Sequence, residues 1–211
     1  MRDYRQRCKG MEQLKTTALI IVIAVIVLCS IYLFICEHRK TDVKKIMLIT
    51  VMTALAVAGR IAFAALPGFK PVTAVIIITG MYLGSDAGFY CGALTALITN
   101  FYFGQGAFTP FQMLIWGCIG IIASLLSKYL KKDKFVQVAY GIFAGIIFSV
   151  LMDIYTVIWT FGSFRWSAYG LAIASAVPFT VIYAVSNVVF LLVLSEPIGK
   201  KIEHAMQKYS S

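Results

Sequence analysis

Residues 17–36 read TALIIVIAVIVLCSIYLFIC, an apolar run without a single charged side chain. About 20 residues at 1.5 Å of rise each give roughly 30 Å of helix, the thickness of a bilayer's hydrocarbon core. A basic stretch precedes the run, so a cleaved secretion signal has to be weighed. The run is longer than the apolar part of such signals and no A-x-A pattern follows it. It is therefore expected to stay as a membrane-spanning helix.

The rest of the chain repeats the theme. Of the 211 residues 60% are hydrophobic and only 13% charged, where a soluble domain carries about a quarter charged. Six further apolar segments are expected as helices: 45–66, ended by Pro67-Gly68; a short one at 72–83, turned by Gly84-Ser85-Asp86; 87–103, ended by Gly104-Gln105-Gly106; 109–128; 136–161; and a last one from Pro178 to Glu196-Pro197. In the fourth, Thr109 is expected as the cap, with Pro110 at the favoured first helical position. Residues 162–177 read as a long connection. The fold class is thus an all-α integral membrane protein. Residues 1–43 form a basic tail plus an additional N-terminal transmembrane helix, and residues 44–211 form a six-helix membrane domain.

The net charge of +10 raises the question of nucleic acid, but the cations cluster at the margins of apolar runs. That distribution serves orientation in the membrane and contact with anionic lipid. For the six core helices, Arg39, Lys40, Lys44 and Lys45, then Lys128, Lys131, Lys132 and Lys134, then the C-terminal cations share one side. The opposite loops carry only Lys70 and Arg165, which places the C-terminus in the cytoplasm. The tail before residue 17 holds Arg2, Arg5, Arg7, Lys9 and Lys15, which conflicts with translocating it if the first helix spans. Five scattered cysteines with no C-x-x-C describe neither a disulfide framework nor a zinc site, and neither histidine has a partner at metal spacing. No metal or cofactor is expected. The chain has no G-x-x-x-x-G-K-[ST], so it does not hydrolyse ATP on a P-loop itself, and it lacks the usual motifs of an intramembrane hydrolase.

Three groups of residues could carry function. Ala54, Ala58 and Ala62, four apart on the first core helix, form a smooth face that suits either packing inside the bundle or docking of another membrane subunit. Arg60 and Asp153 are the charged residues deep in the core runs, at similar depth, and are expected to pair within the bundle; the pair is either structural or part of a substrate site. The outer loops and adjoining helix ends carry Phe69 and Lys70; Asn100, Tyr102, Gln105, Phe108, Gln112 and Trp116; and Trp159, Arg165 and Trp166. With Asp153, these describe a pocket for a flat, partly polar organic molecule. The competing reading is the aromatic belt of any membrane protein. Asn187, mid-helix, is expected to make a packing hydrogen bond.

Ala58-Gly59-Arg60, Pro67-Gly68-Phe69-Lys70-Pro71, Phe103-Gly104-Gln105-Gly106 through Gln112, Trp116-Gly117 and Ser186-Asn187 resemble the substrate-binding S-components of energy-coupling factor (ECF) vitamin transporters. The similarity covers residues 45–207 and looks closest to the subgroup assigned to cobalamin or its precursors. It implies a six-helix S-component bundle in the bacterial cell membrane, with a vitamin pocket near the outer face. It also implies that Ala54, Ala58 and Ala62 dock a transmembrane coupling subunit carrying two cytoplasmic ATPases. Delivery would follow closure of the first loop and tilting of the subunit. The N-terminal helix departs from that six-helix pattern. The alternatives from other classes are a membrane enzyme acting on a lipid or isoprenoid through Arg60 and Asp153, and an autonomous secondary carrier.

Overall fold

The computed structural model describes residues 20, 23–27, 30, 31 and 42–208, and every regular element among them is helical. Helix α1 (Val43–Ala62) starts where the Asp42 carboxylate accepts the Lys44 N–H at 3.3 Å. Its inward stripe is Ile49, Met52, Thr53 and Ala56, spaced by three and one to face the core. The helix ends at Ala62, earlier than the expected Leu66. There Ala64 N–H reaches Ile61 O and Leu66 N–H reaches Phe63 O, so tight three-residue turns take over the last carbonyls.

Helix α2 (Val72–Leu83) is apolar all round, and every residue but Tyr82 is buried. Such a helix belongs in a core. It packs against the helices before and after it and against the last helix. Its 12 residues reach only about 18 Å, short of a membrane crossing.

Helices α3 (Ser85–Phe103) and α4 (Phe108–Leu125) run antiparallel with their backbones in close approach. A Cβ added to Gly120 would lie 2.5 Å from the backbone of Gly88, and one added to Gly92 would lie 2.6 Å from that of Trp116. Small residues let backbones touch where water cannot drive helices together. Helix α4 begins one residue before the expected cap. Ala107 occupies the cap position, and the Thr109 side chain bonds to the second loop instead.

The chain breaks at Leu126 into a six-residue helix α5 (Ser127–Lys132), where continuation to Lys128 was expected. Helix α6 (Lys134–Phe161) is capped by Asp133, which accepts the Phe135 N–H at 2.7 Å, and ends at Gly162 in the left-handed region.

The largest departure follows. Helix α7 (Trp166–Lys208) is continuous over 43 residues and contains both Pro178 and Pro197. The expected connection over 162–177 shrinks to residues 162–165. Proline removes one backbone hydrogen bond, which is why it reads as a boundary. Breaking the chain inside hydrocarbon would expose several unpaired groups, each costing several kcal/mol, so the bent helix is the lesser penalty. Helix α7 lies along α6.

Four of these helices, α1, α4, α6 and α7, are long and apolar enough to cross a membrane. Val51, Phe143, Leu171 and Val193 are exposed large apolar side chains on their outer faces, as lipid contact requires. The chain is an all-α multi-pass membrane protein. One end of the bundle carries the basic residues and is tied by Lys45 to Asp86 at 2.6 Å, a bridge the sequence did not suggest. Of the expected N-terminal helix, residues 23–27 are helical, and Val25 is buried against Phe89 and Ala93 of α3. Residues 20, 30 and 31 are helical as well, and the rest of that helix and its basic tail lie outside the described residues.

Candidate functional site

At the end of the bundle opposite the basic residues, the end of α1, the connection to α2 and helices α4, α6 and α7 enclose a cavity. It is lined by Arg60, Gly68, Lys70, Val72, Thr73, Gln112, Trp116, Gly145, Phe148, Tyr183 and Asn187, and its volume is about 90 Å³.

Arg60 anchors one wall. Its Nη1 donates to Asn100 Oδ1 at 2.9 Å and also to Thr99 Oγ1. The guanidinium lies 5.1 Å from the Phe103 ring centre and 5.2 Å from that of Trp116, within cation–π range. Because arginine only donates, Asn100 must turn its oxygen toward it. The Asn100 amide nitrogen then donates to Gln112 Oε1 at 2.8 Å and to Thr109 Oγ1 at 3.0 Å. Thr109 in turn donates to Gln105 Oε1 at 2.8 Å, and Gln105 Nε2 caps Leu97 O at 3.1 Å. The relay engages one lone pair of the Gln112 oxygen, and Gln112 lines the cavity.

Lys70 lines the cavity from the connection between α1 and α2. Its N–H donates to Ser186 Oγ at 2.8 Å, and the same hydroxyl donates to Lys70 O at 3.0 Å, so one serine of α7 holds the connection at both polar ends of a residue. Gly68, at φ +75°, makes a sharp bend in the same connection. A Cβ there would also crowd Ile182 and Tyr183 at 3.1 and 3.2 Å. Phe69 is not in the cavity. It packs with Phe63 and Phe190, 6.2 and 5.2 Å away, and fixes the connection against α7. Lys70 Nζ lies 5.1 Å from the Phe103 ring centre. Burial, and then the charge of Arg60, hold the Lys70 ammonium below the ordinary lysine range.

The apolar part is stacked. Trp116 and Phe148 lie 5.3 Å apart and 15° from parallel, and Tyr183 meets Phe148 edge-on at 5.6 Å. Trp116 is 5% exposed, and its indole N–H is buried without an acceptor.

Of the residues expected to form the pocket, Lys70, Gln112 and Trp116 line the cavity, and Asn100 and Gln105 support it through the relay. Tyr102 is 68% exposed and pairs with Phe103, while Phe108 packs beside Gly106. The third loop does not take part. Trp159 stacks on Tyr155, Arg165 lies over Phe161, and Trp166 is 79% exposed beside Phe164. These are the aromatic-belt positions that the competing reading described.

The expected Arg60–Asp153 pair is not formed. Arg60 turns to α3, where Thr99 and Asn100 accept its protons. Asp153 instead lines an apolar groove of about 570 Å³ between α6 and α7, and its Oδ2 is buried without a partner. The two residues share a depth but point to different sides of the bundle. Thr73, Phe148 and Tyr183 were missed because, in an apolar run, nothing separates a side chain facing a cavity from one facing lipid. Asn187 donates to Gly141 O at 3.0 Å, the packing bond expected of it, and also borders the cavity.

The small-residue face of α1 is open: Ala54, Ala58 and Ala62 are all exposed. A family model described as ECF-type riboflavin transporter, S component, matches residues 40–204. No curated protein and no solved structure matches.

Proposed function

Since the chain belongs to the family of ECF-type riboflavin transporter S components, we propose that its cavity captures a vitamin outside the cell for import. Membership makes it a substrate-specific membrane subunit of an ECF transporter. The observation that carries the reading is convergence. Arg60 from α1, Lys70 from the first connection, and Gln112 and Trp116 from α4 meet at one cavity beneath a connection that a single serine holds.

Ligand pockets usually span about 300–1,000 Å³. A cavity of about 90 Å³ therefore has to open to admit a vitamin, and the connection 63–71 is the part positioned to move. The stacked Trp116 and Phe148 suit a flat ring system. A planar vitamin of flavin size asks least of the lid. Cobalamin or a corrinoid precursor is the second reading, favoured by the residues at 58–60, 67–71 and 103–112, and needs much wider opening.

The basic end of the bundle faces the cytoplasm and the cavity faces outward. The exposed Ala54, Ala58 and Ala62 dock the transmembrane coupling subunit, which carries two ATPases. An enzyme reading would need Arg60 and Asp153 in one site, and they are in two. The test is mass spectrometry of the small molecules that co-purify with the chain. Lys70→Ala and Gln112→Ala should each weaken binding of the vitamin while the bundle stays folded. A chain that hydrolyses ATP alone, or that converts its ligand chemically, would contradict the proposal.

A further inference from the structure

We infer that the captured substrate is an anion, carrying a carboxylate or phosphate beside its flat ring. The inference rests on the capture reading above and concerns what the same cavity selects. Its two charged groups are both cations, set among hydroxyls and amides (Thr73, Tyr183, Gln112, Asn187) that can donate or accept. Arg60 and Lys70 supply cationic N–H groups, and the Trp116 indole N–H is buried with no acceptor. No aspartate or glutamate lines the cavity. Tyr183 is within electrostatic reach of both Arg60 and Asp153, but the carboxylate itself sits in the other groove.

The protein satisfies the geometry of Arg60 without cancelling its charge. Thr99 and Asn100 are neutral acceptors, and Phe103 and Trp116 contribute only their ring faces. Two cations facing one small, half-dry space repel each other, and a neutral ligand would leave that repulsion in place. An anion relieves it and accepts from both cations. The aromatic stack beside these donors holds the ring.

The experiment compares ligands matched in ring and differing in charge, titrated into the purified full chain in detergent and read by tryptophan fluorescence. Riboflavin is set against riboflavin 5′-phosphate, and nicotinamide against nicotinate. The charged member of at least one pair should bind tenfold or more tightly than its neutral partner, as expected for a charge-assisted contact. A preference in the first pair alone identifies a phosphate, and in the second alone a carboxylate. Lys70→Met should abolish the preference, whereas Lys70→Arg should retain it, with size-exclusion profiles unchanged in both. Equal or tighter binding of the neutral members overturns the inference and leaves capture intact. A preference that survives Lys70→Met also overturns it. Failure of all four to bind overturns it as well. The capture reading falls separately, if no small molecule co-purifies with the chain.

Discussion

Replacing Ser186 with alanine tests whether the first connection is a lid. In the closed form the Ser186 hydroxyl accepts from Lys70 N–H at 2.8 Å and donates to Lys70 O at 3.0 Å. Each such bond contributes about 0.5–1.5 kcal/mol net, so losing both removes about 1–3 kcal/mol from the closed state. At about 1.4 kcal/mol per tenfold, the opening constant rises roughly 5- to 150-fold. The site is only partly buried, so water replaces some of the lost bonding and a rise near tenfold is expected. Hydrogen–deuterium exchange reads this directly, because the protection of an amide reports the free energy of the opening that exposes it. Peptides covering 63–71 should exchange about tenfold faster in Ser186→Ala, while those from 85–103 keep their wild-type rates. Ligand release should quicken by a similar factor. If residues 63–71 exchange as in the wild type, the serine does not hold the lid and the reasoning fails. If 85–103 accelerates equally, the effect is global unfolding and the lid argument fails too.

Gly88→Ala places a methyl within 2.7 Å of the Gly120 backbone, which has no side chain to swing aside; thermal unfolding in detergent should show a loss of about 1–3 kcal/mol. Ala58→Trp, on the open face of α1, should leave ligand affinity unchanged yet abolish uptake in cells that supply the partner subunits, and normal uptake would remove the case for docking there. Asp153→Asn should leave ligand binding within about twofold and not lower stability, since it replaces an unpartnered buried carboxylate with a neutral group that costs less to bury. A loss of binding in that variant would return Asp153 to the site.

The membrane character and most helix positions were legible because hydrocarbon imposes a strict length and excludes charge. Gly104-Gln105-Gly106 marked a real end, whereas the first core helix stopped at Ala62, four residues short of the end expected before Pro67-Gly68. Pro178 marked none, since a rule learned in water weighs one missing N–H more heavily than hydrocarbon does. Lys70, Gln112 and Trp116 could be found because a cation, an amide and an indole at the ends of apolar runs need partners. Arg60 and Asp153 show the limit of that reasoning. Position along a sequence gives depth in the bundle, but whether two side chains meet depends on the rotation of each helix about its axis. Trp159, Arg165 and Trp166 show a second limit, since the same residue types serve a ligand and the lipid–water boundary equally well.

The brevity of α2 shapes the route a solute must take. Against a hydrocarbon layer of about 30 Å, a helix of about 18 Å leaves roughly 12 Å to be made up by the connections at its two ends. The cavity sits over the start of this helix, which supplies Val72 and Thr73 to its lining. Beneath it stands α2 itself, a solid plug with almost no exposed surface on any side. Opening an aqueous passage along α2 would mean taking apart the core that it fills.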